Sequence, residues 1–292
     1  MIIQKWVLSI STGALVSMLA GPAFADCVGL PNWNALRNAL VSVVNGGGNG
    51  GLGFNMWGSI VANDGTVCAV AFSGHDYTSQ WLGSRAISAQ KATTANDYSL
   101  GKNSTPVSSL FPHGLALSTA NLFTAVQPGG SLYGLQHSNP VDTQVLYANN
   151  QIGPVGHPTN PLTFGTKFDP IVGLRVGGGN VFGGGLALFR QGIKVGGLGV
   201  SGDTSCTDHM IAWKVRHALG YDQLQGVQGV SGDAARPDNI VFDIGPNGGI
   251  PTNDGGTGQA PNGTGGVGQS ASGFGHPKCL NNPNPASLPA VQ

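Results

Sequence analysis

GGGNVFGGGLALFRQGIKVGGLGVSGDTSCTDHMIAWKVRHAL, residues 177–219, decides the fold. An apolar run from Gly184 to Arg190 reaches a turn at Gln191-Gly192 and returns as a second apolar run, Ile193–Val200. Two such runs around a tight glycine-bearing turn read as a β-hairpin. The segment Gly199-Val200-Ser201-Gly202-Asp203 then leads directly into a helix. Ser201 and Asp203 are N-cap residue types, and Ser205-x-x-Asp208 has the spacing of a capping box. Beyond it Ile211, Val215, Ala218 and Leu219 recur at i, i+4, i+7 and i+8, one face of a helix.

Upstream lies a second hairpin. A helix over Trp33–Val44 feeds a strand, Phe54–Ala62, which turns at Asn63-Asp64-Gly65 into Thr66–Ser73. A second helix spans Trp81–Leu100, and Ala86, Ala89, Ala92 and Ala95 give it a small-residue surface suited to close packing. A third helix over Leu115–Val126 precedes a proline-rich insertion, Gln127–Val172, with little helix signal. Loops of that length are functional or irregular. Two hairpins with helices on one side imply an α+β fold with an antiparallel β-sheet flanked by helices. Three segments follow: a leader over 1–25, one domain over 26–220 carrying the 127–172 insertion, and an irregular Gly/Pro/Asn-rich tail over 221–292. Within that tail, Gly248–Gly273 is expected to be flexible and Ile240–Ile244 is a short apolar piece.

Lys5, the apolar stretch Trp6–Ala20 and Ala23-Phe24-Ala25 form the three parts of a secretory signal peptide, which places the mature protein in the periplasm or outside the cell. Ala25-Asp26-Cys27 is a poor lipobox, and no other apolar run approaches the roughly 20 residues of a membrane span. Four cysteines fit an oxidising compartment and allow three pairings. The first helix and the second strand start at the same end of the domain, which pairs Cys27 with Cys68 and leaves Cys206 for Cys279. Metal ligation by the cysteines is disfavoured, since there is no CxxC and no Cys-x₂₋₄-His spacing.

The formal net charge is zero, and only 9% of residues are charged. Nucleic acid and anionic membranes are therefore poor partners, because both are bound through clustered Lys and Arg. The 49 glycines cluster at 46–53, 177–185 and 245–275.

Gly197-x-Gly199-x-x-Gly202 matches the dinucleotide fingerprint, but it follows a hairpin arm and no parallel βαβ unit surrounds it. What survives is a strand-to-helix turn whose free N–H groups favour an anion, such as a carboxylate held by Gly199, Gly202 and Asp203; glycines serving a tight turn are the plainer alternative. Asp203 and Asp208 also read as charges favourable to a helix dipole. Any iron ligand must come from His75, His113, His137, His157, His209, His217 or His276. His209 among Cys206, Trp213 and Arg216 reads as structural, which leaves His75, in the polar stretch Ser73-Gly74-His75-Asp76 after a strand, and His113 as the better metal-ligand candidates. There is no CxxCH, so covalent haem attachment is excluded. Arg85 and Lys91 either meet ligand carboxylates or face water, and water is favoured. No GxSxG, HExxH or paired-carboxylate motif is present, and a serine nucleophile would need a partner that spacing alone does not reveal.

Two blocks carry a family resemblance. Ser84-Arg85-Ala86-Ile87-Ser88-Ala89-Gln90-Lys91-Ala92-Thr93-Thr94-Ala95 follows the first hairpin, and GGGLALF, VGGLGVSGD and D-x-x-IAW follow one another within 183–219. Both are similar to the GlcG/HbpS family of haem-binding domains, once described as haem-degrading. The 127–172 insertion and the Cys-bearing tail are additions to the minimal domain. The resemblance implies HbpS-like, profilin-like layering and symmetric oligomers. It also implies non-covalent haem as cofactor, in haem handling or redox sensing. On that basis His75, Asp76, Arg85, Gly199, Gly202, Asp203 and His113 are the expected cofactor-binding residues. A homo-oligomer is expected through the Ser84–Ala95 helix and the face carrying Trp213. Alternatives are a small-molecule enzyme, haem degradation included, whose pocket the insertion closes, and an accessory domain that has lost its ligand.

Overall fold

A computed structural model describes residues 27–104, 108–147, 160–244 and 270–292. The leader, His157 and nearly all of Gly248–Gly273 lie outside the described residues.

Helix α1, Trp33–Gly46, starts where Asn32 accepts the N–H of Ala35 at 3.0 Å and ends at Gly47, whose φ of +69° few other residues adopt. Strands β1 (Trp57–Ala62) and β2 (Val67–Phe72) pair antiparallel about a turn in which Asp64 accepts the N–H of Thr66. Helix α2 covers Ser84–Asp97, shorter than Trp81–Leu100 at both ends. Of the third helix expected over Leu115–Val126, only Leu122–Ala125 (α3) is helical; Leu115–Ala116 is a strand, β3. Among its described residues the insertion carries the short helices α4 (Leu135–Ser138) and α5 (Thr143–Tyr147) and a 3-10 turn, Pro161–Thr163. Strands β4 (Gly185–Arg190) and β5 (Ile193–Ser201) form the second hairpin, with Gln191 and Gly192 at φ +52° and +78°. Helix α6, Ser205–Ala218, follows, and β6 (Gln228–Gly229) pairs parallel with β3.

The main sheet runs β2-β1-β5-β4, antiparallel throughout, with β1 and β5 joining the hairpins from Trp57↔Ser201 to Ala62↔Gly196. The fold is α+β, as its hairpins require. Helices nevertheless cover both faces, not one. Alternation along β1 sends Ile60 toward Leu36, Leu40, Met210 and Trp213 of α1 and α6, and Trp57 and Val61 toward Ala86, Ala89 and Ala92 of α2. All six residues of β1 are buried, a pattern that marks a strand covered on two sides.

Three glycines let the backbone of α2 lie directly on the sheet. A Cβ at Gly185 would strike the carbonyl of Lys91, one at Gly197 that of Ala92, and one at Gly199 that of Ser88. The insertion joins the cluster between α2 and the sheet through Leu146 and Ile171, and Arg85 pairs with Asp169 (Nε–Oδ2, 2.9 Å). Eleven residues of α2 are buried as a result. Arg85 and Lys91 therefore do not face water: burying their cations requires partners, and each has an aspartate. The surface expected to drive oligomerisation is covered within the chain. So is Trp213, fully buried and donating its ring N–H to the carbonyl of Pro289.

Cys27–Cys68 and Cys206–Cys279 are both disulfides. They are compatible with secretion, and among the described residues no helix is long and apolar enough to cross a membrane. The described parts of the tail are irregular but packed, with Ile240, Val241 and Leu288 buried. Arg216 fastens them by a bidentate pair with Asp238 at 2.6 and 2.9 Å.

Gly199→Val should lower stability by about 1–3 kcal/mol, the cost of overpacking a close helix–sheet contact. Urea unfolding measures it, and an unchanged midpoint would show the contact to be slack.

Candidate functional site

The junction between β5 and α6 is organised by a buried ion pair. Lys91 Nζ, on α2, donates to Asp208 Oδ2 at 2.6 Å and to the carbonyl of Val200 at 3.2 Å, and lies 4.0 Å from the ring centroid of Phe182. Asp208 Oδ1 accepts the N–H groups of Gly202 and Asp203 at 3.2 and 3.0 Å. Burial pushes the Asp208 carboxyl up to about 6, against the pull of Lys91, and pushes the Lys91 amine down. Asp208 thus joins α2, β5 and α6 as well as lying in the first turn of the helix. The N-cap is Thr204, whose side chain accepts from Thr207, and neither Ser201 nor Asp203 fills that role. Gly202 is needed for clearance: a Cβ there would meet Asn55 and Met56.

Asp203 turns outward from this junction. Its carboxylate accepts the N–H of Leu52 at 2.9 Å and of Phe54 at 3.0 Å, fixing the segment after the 47–53 glycine loop. The amides of Gly202 and Asp203, offered above as an anion site, are thus held by Asp208, and Asp203 itself is held by the chain.

The next residue, Asn55, reaches the loop that carries His75. Ser73 Oγ donates to Asn55 Oδ1 at 2.9 Å, and Asn55 Nδ2 donates to the carbonyl of Ser79 at 3.4 Å. Inside that loop, hydrogen bonds from the side chain and N–H of Thr78 hold the Asp76 carboxyl down at about 2. The His75 side chain is 95% exposed, with Nδ1 3.6 Å from Asp76. Trp81 closes the loop, its carbonyl accepting the ring N–H of Trp57 at 2.9 Å.

Phe54 and Trp81 meet edge-to-face at 5.1 Å between centroids, and with Leu52 and Leu82 they form an exposed apolar group, 40–59% accessible. A cavity of about 150 Å³ opens beside Phe54, between the glycine loop and Thr207 and Ile211 of α6. The segment 52–56 is therefore held on one side by the ends of the loop that carries His75 and Asp76, and on the other by Gly202 and Asp203. Gly199 lies inside the sheet against α2, and Arg85 is committed to Asp169. His113 sits in a different loop, where the neighbouring Gly114 packs on Leu100 and accepts from Gln228. The aromatic pair escaped notice in the sequence, although apolar side chains beside Gly53 and Gly83, outside any amphipathic pattern, are a usable signal.

A second polar cluster lies where the tail meets α6. His209 is buried; its Nε2 accepts the N–H of Ile240 at 3.2 Å, and its Nδ1 has no partner. His276 is buried as well. Its Nδ1 lies 2.6 Å from the carbonyl of Pro277 and its Nε2 2.6 Å from Ser205 Oγ. Burial pushes both imidazoles down to about 4. Cys206, His276 and Cys279 place their ligand atoms within 4.8 Å of one another, with both sulfurs joined in the disulfide.

No family model matches the chain, and neither does any curated protein. Solved structures similar to it include a PduOC–haem complex at 24% identity and TM-score 0.38, covering 67% of this chain and 93% of that one. Others are the Klebsiella pneumoniae protein ORFY, of family-model DUF336, at 21% and 0.39 (65% and 90% covered), and HbpS at 14% and 0.37 (65% and 89% covered).

Stability should fall on acidification. The two buried histidines hold near 4 in the fold against an ordinary value of 6.5, so the unfolded chain takes up protons first. Their contribution is complete above 6.5 and is lost as pH falls toward 4, while Asp208, raised from 3.8 to about 6, offsets part of it in the same window. The expected result is a lower urea midpoint near pH 4.5 than near pH 7. An equal or higher midpoint would contradict the neutral state assigned to His209 and His276.

Proposed function

We propose that the protein is a secreted binder of haem or a related tetrapyrrole, acting in the periplasm or outside the cell. The carrying observation is the exposed Phe54–Trp81 pair, flanked by Leu52 and Leu82, on the segment that also anchors the His75 loop. An exposed apolar group on the segment that anchors a histidine-bearing loop suits an apolar macrocycle that carries a metal. His75 would hold the metal through Nε2, with Asp76, 3.6 Å from Nδ1, orienting the ring. Haem bound there would supply a redox-active iron.

The available residues suit a face-bound ligand better than an engulfed one. The cavity beside Phe54, at about 150 Å³, is smaller than the roughly 300 Å³ where small-molecule pockets begin. The buried cations Arg85, Lys91 and Arg216 already have aspartate partners, so carboxylates of the ligand would remain in water. An exposed apolar group of this kind is also suited to being shared between two copies, which keeps a homo-oligomer within the proposal although the α2 and Trp213 faces are covered.

Hemin titration of the purified chain should give saturable binding with a shifted Soret band. His75→Ala should weaken it at least tenfold, about 1.4 kcal/mol. Equal binding by both proteins removes His75 from the site. Loss of the Soret band with a bilin-like product would favour the degradative enzyme instead.

A further inference from the structure

We propose that Ser205 is an activated nucleophile, with His276 as its base, able to accept an acyl group from a small ester of an apolar acid. The inference is independent of haem binding and starts from the hydrogen bonds of His276. The carbonyl of Pro277 can only accept, so the 2.6 Å contact fixes the proton on Nδ1. Nε2 is therefore the bare nitrogen, and Ser205 Oγ, 2.6 Å away, donates to it. A nucleophile, a base and a group orienting the base are thereby in line, the arrangement that nucleophilic catalysis requires.

Other features of the cluster serve the same chemistry. Ser205 is the first residue of the 14-residue helix α6, where the helix dipole favours negative charge on Oγ. The N–H of Gly183 donates to the same oxygen at 2.7 Å. His276 is held in place by its backbone N–H on the carbonyl of Val241 (2.7 Å) and by the ring of Phe123, 4.9 Å between centroids. Burial pushes its imidazole down to about 4, so at neutral pH Nε2 carries no proton and is open to the Ser205 hydroxyl. Ser205 is only half-buried, as are Phe123, whose ring packs on His276, and Phe182, the residue before Gly183.

In the reaction, Ser205 Oγ bonds to the acyl carbon as its proton passes to His276 Nε2. The ester C–O bond breaks, and His276 returns the proton to the departing alkoxide. Water then attacks the acyl-serine with the same base, releasing the acid and restoring Oγ–H. A structural clasp between α6 and the tail would show the same hydrogen bonds but no reactivity.

The test is covalent labelling of the purified, disulfide-intact chain with an alkyl fluorophosphonate, followed by peptide mapping. The expected result is one adduct, on Ser205, absent in Ser205→Ala, lost in denaturing urea, and formed at least tenfold more slowly in His276→Gln. A folded wild type that remains unlabelled at Ser205 overturns the proposal, as does labelling that proceeds equally in urea. Both readouts use the wild type, so they decide the matter even if His276→Gln does not fold.

Discussion

The Lys91–Asp208 ion pair is the contact on which the remaining geometry depends. It is fully buried, and its two charges come from helices on opposite faces of the sheet. Taking both charges out of water is costly, and the cost is recovered only where every donor and acceptor finds a partner. Here Lys91 also binds the carbonyl of Val200, and Asp208 also gathers the amides of Gly202 and Asp203. The pair therefore sets the path of the chain from β5 into α6. That path aims Asp203 at Leu52 and Phe54, and it places Ser205 against His276. Both the exposed aromatic group and the Ser205 cluster derive their positions from it.

Arg85–Asp169 and Arg216–Asp238 apply the same chemistry to the added segments. Each sits on a core helix and reaches a carboxylate in the insertion or the tail. Breaking such a pair leaves an uncompensated charge and costs about 3–5 kcal/mol, more than the surface contacts of a loop supply. The described insertion and tail are accordingly integral to the core, and the helix faces that would otherwise be free for a second copy are buried.

What was legible in the sequence was local. Apolar runs and the Asn63-Asp64-Gly65 and Gln191-Gly192 turns placed both hairpins, because strand and turn propensities act within a few residues. The cysteine pairing followed from the ends at which α1 and β2 begin. What escaped was set by partners far along the chain. Lys91 and Asp208 are 117 residues apart and Arg85 and Asp169 are 84, so both cations read as solvent-facing until the fold supplied their acids. The third helix largely failed because Leu115–Ala116 finds a strand partner in Gln228–Gly229 of the tail. Ser205 read as part of a capping box, since nothing local marks His276, 71 residues on, as its partner.

The most direct test of this account is a double-mutant cycle on the pair, using Lys91→Met, Asp208→Leu and the combined variant in urea unfolding. If the pair organises the junction, each single change costs about 3–5 kcal/mol, and the double variant costs well below their sum because no lone charge is left buried. Single effects below about 1 kcal/mol, or costs that simply add, would contradict the central place given to Lys91 and Asp208.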